Sequence, residues 1–248
     1  MKTKAFLPAI VFLLASLASC NSSVPKSLVT DDGSVRIIEN PDGPLYICEL
    51  KAAGDTIDIP LSELVEDCRI VRFETSDEAL FKAWWIEVSD NYICVRQQSN
   101  AVKLYDKDGK FLCNIGAMGN GPGEYPVTIY DGSIDERGGH IFLSLFYGKK
   151  IMMYGLDGKW IKDINLPGQI NKPKIEVNAD GTLSVVHMPF EEGAPIAFRM
   201  DTDGNILSQI PALDYMLAGN FDNEIFSYRS TGTFDFFYTG IDTTFTYD

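Results

Sequence analysis

The segment Tyr105-Asp-Lys-Asp-Gly-Lys-Phe-Leu112 decides the fold, because it returns twice along the chain. A shift of 49 residues gives Tyr154-Gly-Leu-Asp-Gly-Lys-Trp-Ile161, and a further 46 residues give Met200-Asp-Thr-Asp-Gly-Asn-Ile-Leu207. Another apolar run typical of a strand precedes each copy, and residues 222–226 begin a fourth repeat. A period of this length, with about four strands in each repeat, predicts an all-β fold: a β-propeller of four-stranded antiparallel blades.

The Asp-Gly pair of each copy has a local physical reason. Gly109, Gly158 and Gly204 each stand between two predicted strands. The backbone must reverse there, and glycine adopts a positive φ without steric cost. A calcium loop would need alternating carboxylates and a later glutamate, and the second copy has Gly155 where its first carboxylate should stand. We therefore predict hairpin turns rather than calcium sites.

The N-terminus has the features of an export signal. Lys2 and Lys4 precede an apolar stretch of 13 residues, Ala5 to Leu17, which is shorter than the roughly 20 residues that span a bilayer. Leu17-Ala-Ser-Cys20 follows and resembles the bacterial lipobox; the alternative is an ordinary secretory peptide. The resemblance implies a lipoprotein signal peptide over residues 1–19 and lipid on Cys20. Residues 20–34 are then a lipidated tether, and residues 35–248 form the propeller domain.

The acidic composition limits the partners of the chain. The formal charge is −14, and removal of the two signal-peptide lysines leaves −16. Without a basic run to offset this charge, we expect no binding to nucleic acid and no docking on anionic lipid headgroups. With 45% hydrophobic residues the chain can still bury a substantial core.

The cysteines beyond Cys20 have no spacing typical of a zinc site. They are Cys48, Cys68, Cys94 and Cys113. Three of them, Cys48, Cys94 and Cys113, lie inside apolar strand-like runs, which favours buried thiols, while a disulfide in an oxidising periplasm stays open.

The most distinctive segment is Ile115-Gly-Ala-Met-Gly-Asn-Gly-Pro-Gly-Glu-Tyr125. A phosphate-binding loop would end in Gly-Lys-Ser/Thr and open a helix, whereas this segment ends in Glu-Tyr-Pro. The segment instead resembles the glycine motif of the six-bladed β-propeller lipoproteins of Gram-negative anaerobes, which are related to NHL-repeat and TolB-like propellers. Residues 59–67 and 70–75 also resemble that family's opening segment of strand, short helix and strand, so the resemblance covers about residues 55–248.

The resemblance implies a propeller fold and a location in the cell envelope, and it implies no established activity. The 194 residues from Asp55 onward suffice for about four to five blades at the observed period, against six in the family. A truncated family member is the favoured interpretation, and a ring closed with fewer blades is the alternative.

The search for catalytic chemistry gives no convincing group. The two histidines, His140 and His187, lie beside or within predicted strands, and no nucleophile elbow or zinc motif occurs. Glu124, Asp131 and Asp135 lie close together in sequence, but among 35 acidic residues such proximity is expected by chance. We interpret them as a solvated blade rim and predict no catalytic residue, no metal ligand and no cofactor.

Aromatic residues are the better candidates for recognition. Trp84 and Trp85 are adjacent, so a strand would point them to opposite faces and leave one exposed. Trp160 shares the repeat position of Phe111, which predicts a place in the core between blades.

The preferred hypothesis is a non-catalytic envelope propeller that binds a protein or glycan partner. The candidate binding residues are Gly121, Pro122, Gly123, Glu124, Tyr125 and Trp84. The alternative is a propeller enzyme of the lyase, lactonase or hydrolase kind with a metal in the central channel. Asn21 after the lipidated cysteine favours an outer-membrane lipoprotein that faces the periplasm, held to the membrane through Cys20.

Overall fold

A computed structural model describes most of the chain as two units. The described residues are 27–29, 33–39, 44–49, 51–52, 54, 58–230, 233–238 and 245–247. The units are residues 1–68 and 69–248. The predicted signal peptide and Cys20 lie outside the described residues. In the part of the chain that is described, no helix is long and apolar enough to cross a membrane.

The first unit contains a small antiparallel sheet of order β1-β2-β3. Its strands are Ser27–Val29, Val35–Ile38 and Leu45–Cys48. The short helix expected after Ile59 is a single 3-10 turn, Leu61–Glu63. Leu61 and Leu64 are exposed, so no packed apolar face supports a longer helix.

The second unit is built from successive antiparallel sheets in which each strand pairs with the next along the chain. The first sheet holds β4 to β7, which are Trp85–Val88, Tyr92–Arg96, Val102–Asp106 and Phe111–Ile115. A short parallel pair follows, β8 (Ala117–Met118) with β9 (Glu124–Tyr125). The second sheet holds β10 to β13, which are Ile129–Asp135, His140–Leu145, Tyr147–Gly155 and Trp160–Asn171.

The third sheet repeats the pattern, and the fourth is shorter. The third holds β14 to β17, which are Lys174–Val177, Leu183–Val186, Pro195–Met200 and Ile206–Pro211. A 3-10 turn at Asp214–Met216 follows. The fourth sheet has three strands in the described residues, β18 to β20, which are Ile225–Ser230, Thr233–Tyr238 and Phe245–Tyr247. The predicted all-β fold of four-stranded antiparallel blades is confirmed.

The first strands of the sheets lie next to one another. β10 contacts β4 on one side and β14 on the other, and β14 contacts β18. Apolar cores fill the space between successive sheets, for example Leu104, Ile141 and Tyr154 between the first and second. The first strands are therefore the inner strands of the blades, and residues near their ends face a shared centre.

The turn glycines permit close contact between successive sheets as well as the turn itself. Gly109, Gly158 and Gly204 have φ of +88°, +79° and +94°. A Cβ on Gly158 would lie 2.3 Å from the carbonyl oxygen of Asn114 in the outer strand of the preceding sheet. A Cβ on Gly204 would lie 2.8 Å from the carbonyl oxygen of Asn165 in the same relation. The repeat therefore marks the place where each hairpin packs against the blade before it.

The aspartates of these turns bind backbone amides, but the position differs between copies. In the first and third copies, Oδ1 of Asp106 and of Asp201 each accepts two N–H groups of the turn. In the second copy, where Gly155 occupies that position, Asp157 accepts the Lys159 N–H at 3.1 Å. The carboxylates therefore stabilise the turns.

Gly158→Ala is expected to lower the free energy of unfolding by about 2–3 kcal/mol, because positive φ and the Asn114 carbonyl both oppose the methyl group. Gly181→Ala is the matched control, since Gly181 has a φ of +82° and nothing within 4 Å of its Cβ position. That control should lose only about 1 kcal/mol. Urea unfolding of both variants gives the comparison, and equal losses would show that the close approach is unimportant.

The described cysteines beyond Cys20 are free thiols. Cys94 is buried and Cys113 is half-buried in the core between the first and second sheets, while Cys48 and Cys68 are exposed. Burial raises the pKa of the Cys94 thiol far above its ordinary value. Cys94 is therefore an inert core residue.

Candidate functional site

The glycine segment connects the first and second sheets, and its Tyr125 is fully buried. The Tyr125 hydroxyl accepts the Val102 N–H at 2.8 Å and donates to the Ile115 carbonyl at 3.1 Å. The Glu124 carboxylate accepts the Gly121 N–H at 2.8 Å. Gly121 and Pro122 form the exposed tip. Tyr125 thus has no free surface for a ligand, and Glu124 is bonded within its own loop.

The close packing of this segment explains its glycines. Gly123 has a φ of +71°, and a Cβ there would lie 2.5 Å from the Cβ of Trp160. The Gly123 carbonyl accepts a hydrogen bond from the Tyr154 hydroxyl at 3.1 Å. Trp160 covers Gly123 from outside and is 41% exposed, so its predicted place in the core between blades is wrong. The segment joins two blades.

Tyr125→Phe is expected to lower the free energy of unfolding by about 1–3 kcal/mol, because it leaves the buried Val102 N–H without a partner. Tyr215→Phe is the control, since Tyr215 is 61% exposed, and its effect should stay within about 0.5 kcal/mol. Denaturant unfolding measures both. A neutral Tyr125→Phe variant would contradict the structural role of the hydroxyl.

Trp84 lies elsewhere, at the end of the second unit where the inner strands begin. We call this end the mouth. Trp84 directly precedes β4, Tyr130 is the second residue of β10, and Glu224 directly precedes β18. The Asp131 carboxylate accepts the Ile175 N–H and the Ser133 hydroxyl accepts the Val177 N–H. Each of these two pairs joins residues 44 positions apart, so β10 and β14 run in the same direction. The starts of these strands therefore meet.

Ion pairs whose cations are buried lie at the mouth, and we call them the charged centre. Its members are Arg96, Asp131, Lys172, Lys174 and Glu224. Arg96 Nη1 lies 2.9 Å from Asp131 Oδ1, and both side chains are almost fully buried. Lys172 Nζ lies 2.7 Å from Glu224 Oε1, and Lys174 Nζ lies 3.9 Å from Asp131 Oδ1. The interpretation of Asp131 as part of a solvated rim is therefore wrong.

Two features of the charged centre are unfavourable for the free energy of folding. Lys172 has a φ of +46° and is the one residue other than glycine with a positive φ among the described residues. Arg96 Nε is buried and has no hydrogen-bond partner within the described part of the chain. Strained backbone and unsatisfied polar groups concentrate at functional sites, so both features mark the mouth as a candidate site.

Glu87, the third residue of β4, faces the charged centre with a perturbed acidity. Burial raises the pKa of Glu87 to about 8, the negative charge of Asp131 adds to the rise, and Arg96 opposes it. Its Oε1 accepts the Ile134 N–H at 3.2 Å. Glu87 therefore holds a proton near neutral pH.

Aromatic rings form a row across the mouth. The aromatic row consists of Trp84, Tyr130, Phe146, Phe221 and Phe190. Successive ring centroids are 5.9, 5.4, 6.4 and 4.7 Å apart, within the range of favourable ring contacts. The row extends from the first sheet to the segment before the fourth.

Cations of the charged centre lie against these rings. Lys174 Nζ lies 4.9 Å from the Trp85 ring centroid and 4.8 Å from that of Tyr130. Lys172 Nζ lies 5.7 Å from the centroid of Phe146. The Tyr130 hydroxyl also donates to the Glu224 carboxylate. Ring and charge contacts together fix the side chains of the mouth.

Of the residues expected to bind a partner, Trp84 alone lies at the mouth, and it is half-buried. The neighbouring Trp85 is the exposed member of the pair. The structure does not bring Trp84 together with the glycine segment in one set of contacts. Arg96 and Lys174 were not predicted from the sequence as site residues. Each is a charged residue at the end of an apolar strand-like run, and such a position indicates a buried charge that needs a partner.

The remaining candidate residues, Asp135 and His187, make structural contacts. Asp135 accepts the Gly138 N–H at 2.8 Å and lies 3.8 Å from His140. His187 is buried, and burial lowers its pKa to about 4. Within the residues that the structure describes, no three His, Cys, Asp or Glu side chains are placed to hold a metal ion.

Comparison with solved structures supports the fold. The protein BF0058 of Bacteroides fragilis NCTC 9343, described as exported, is 16% identical, with a TM-score of 0.53 over 71% of this chain and 53% of its own. This chain thus spans about half the length of BF0058. Comparison with curated proteins gives no significant match.

Other similar structures belong to bacterial proteins of varied role. PorZ, a surface component of the type-IX secretion system of Porphyromonas gingivalis, is 14% identical, with a TM-score of 0.46 over 86% of this chain and 29% of its own. Virginiamycin B lyase from Staphylococcus aureus is 15% identical, with a TM-score of 0.43 over 86% of this chain and 62% of its own. Propeller-like exported proteins are thus among the structures similar to this chain.

A family profile matches residues 45–248, which is most of the chain and includes all four sheets of the second unit. The chain therefore belongs to the family described as domain of unknown function DUF4934.

Proposed function

We propose that this chain is a non-catalytic binding protein of the cell envelope, whose propeller holds a protein or glycan partner at the mouth. The observation that carries the proposal is an exposed rim of three aromatic side chains around ion pairs whose cations are buried. Trp85, Tyr147 and Phe221 are 44%, 47% and 49% exposed. They belong to the first sheet, the second sheet and the segment before the fourth.

The supporting argument is energetic. Large aromatic side chains left in water on a rigid scaffold are the residues that contribute most to binding, because they bury much area at little entropic cost. The charged centre has three cations and two carboxylates, so its charges largely cancel, and its Lys174 lies against the ring of Trp85. Such a surface suits the ring face of a sugar or an apolar side chain of a protein.

The test is alanine substitution of the whole rim. Trp85, Tyr147 and Phe221 are replaced together, and capture from envelope extracts and binding to a glycan array are measured. The matched control replaces Leu112, Ile161 and Leu207, which are 41%, 45% and 54% exposed on outer strands. We expect the rim variant to bind at least about 30-fold more weakly, as the loss of a binding hot spot requires. Equal binding by the two variants would refute the proposal.

The envelope location is part of the proposal. It is supported by the lipobox at residues 17–20 and by the exported proteins among similar structures. We propose an outer-membrane lipoprotein that faces the periplasm and is related to the six-bladed propeller lipoproteins of Gram-negative anaerobes. Cys20→Ala should release the protein from the membrane fraction, and unchanged membrane retention would contradict lipid attachment.

The enzyme alternative has one observation in its favour. Glu87 holds a proton near neutral pH beside the Asp131 carboxylate, and a carboxylic acid of that kind is suited to general acid catalysis. A lyase, lactonase or hydrolase with a metal in the channel would also need a metal site. Metal analysis of the purified protein separates the two functions, because a stoichiometric, chelator-sensitive ion would favour the enzyme.

A further inference from the structure

A cavity of about 740 Å³ lies between the second and third sheets, next to the mouth. One wall is the outer strand β13, whose pairing with β12 shifts from Lys150–Asn165 to Gly148–Ile170, so that Leu166–Gln169 bulge away. The other wall is formed by the segment after β15 and the start of β16. Phe190 and Phe221, the last members of the aromatic row, also line the cavity.

The floor of this cavity is apolar and well buried. Leu166, Ile170, Met188 and Phe198 line it and are at most 7% exposed. A volume within the range of about 300–1,000 Å³ and an apolar lining are typical of sites for small organic molecules. A sugar would bring many hydroxyl groups against this floor, where few protein groups could pair with them.

One polar side chain is part of the floor. His187 is 3% exposed, and its Nδ1 lies 3.2 Å from the Met188 carbonyl oxygen. Burial lowers the pKa of His187 to about 4, so the ring is neutral at pH 7. The floor therefore carries no charge.

Charge and hydrogen-bonding groups stand at the opening. Lys149 and Glu191 are the charged residues of the lining, they have opposite signs, and both are exposed. Gln169 Nε2 donates to Asn171 Oδ1 at 2.9 Å, and Gln209 is a third amide at the opening. A ligand inside would meet apolar groups below and amide groups above, with no buried counter-charge.

We propose that this cavity, which we call the cleft, binds a small neutral molecule with an apolar, ring-bearing body. The polar group of that molecule stays at the opening near Gln169 and Asn171. The rings of Phe190 and Phe198, which both line the cavity, match such a body. A permanently charged ligand would lose its hydration without gaining a partner on the floor. This ligand site shares Phe221 with the rim at the mouth, but the argument for it does not rest on the partner proposed there.

The probe for the test is N-phenyl-1-naphthylamine, a neutral aromatic amine whose fluorescence rises in apolar surroundings. The variant Ala194→Trp fills the cleft, since Ala194 lines it and is only half-buried. Gln209→Trp fills it from an exposed position, should Ala194→Trp fail to fold. Ala179→Trp adds the same side chain at an exposed turn residue that does not line the cleft.

We expect the purified protein and Ala179→Trp to bind one probe molecule saturably, and the two filled variants to bind at least 10-fold more weakly. The sulfonated analogue 8-anilino-1-naphthalenesulfonate should bind more weakly than the neutral probe. The proposal is overturned if the protein does not bind the neutral probe, if filling leaves binding unchanged, or if the anionic probe binds as tightly. None of these variants changes a rim residue, so a failure here is distinguishable from a failure of the binding proposed for the mouth.

Discussion

Replacing Arg96 with methionine is expected to lower the free energy of unfolding by about 3 kcal/mol, because the buried Asp131 carboxylate loses the nearer of its two cations and keeps only Lys174 Nζ at 3.9 Å. The Arg96 and Asp131 side chains are 5% and 11% exposed, and their charged atoms lie 2.9 Å apart. Arg96 Nη1 also donates to the Tyr130 carbonyl, which would lose that partner. Chemical denaturation of the purified variant measures the loss.

The same substitution at an exposed pair is the control. Arg69 lies 3.1 Å from Asp108, at nearly the same distance, but the two side chains are 58% and 71% exposed. Arg69→Met should cost no more than about 1 kcal/mol, because water already solvates both charges. Equal losses at the two sites would mean that the charged centre is not desolvated.

Glu87→Gln is expected to remove a large pH dependence of stability. The folded pKa of Glu87, about 8, lies above the ordinary value of 4.5, so between these pH values the folded chain holds a proton that the unfolded chain has lost. This contribution to stability is complete below pH 4.5 and is lost as pH rises through 8. The slope is about 1.4 kcal/mol per pH unit, up to about 5 kcal/mol in all.

The difference in stability between Glu87→Gln and the original chain, measured across pH, isolates the contribution of the Glu87 proton. His187 acts with the opposite sign, since its lowered pKa makes stability fall as pH drops from 6.5 towards 4, but both chains contain it. Between pH 6.5 and 8 the variant should gain roughly 2 kcal/mol relative to the original chain. Glu136→Gln is the control, because hydrogen bonds from Ser89 and Asn91 outweigh burial and lower the pKa of Glu136. Parallel profiles for Glu87→Gln and the original chain would contradict the raised pKa.

The sequence was sufficient to predict the blades because the repeat records two requirements at once. Gly158 must adopt a positive φ and must also let the Asn114 carbonyl approach. Both requirements act at one position in each copy, so the glycine is visible without knowledge of the fold. The alternation of apolar runs and turns then predicts the strand order, since each strand pairs with the next.

The candidate site was harder to predict because it is made of residues far apart in sequence. Arg96, Asp131 and Lys174 come from three sheets and meet only when the inner strands are side by side. Composition alone favours a solvated position for an aspartate in so acidic a chain, and this led to the wrong interpretation of Asp131. Tyr125 stands beside exposed glycines in sequence, yet its ring fills the space between two sheets.

The central claim, that the mouth is the surface that binds a partner, can be tested by site-specific crosslinking in living cells. A benzophenone amino acid replaces Trp85 at the mouth or, as a comparison, Ile161 on an outer strand; the two side chains are 44% and 45% exposed. We predict that light joins the variant at position 85 to one dominant protein or glycan of the envelope, and that the variant at position 161 gives no such product. Equal labelling from both positions, or a specific product from position 161 alone, would contradict the account.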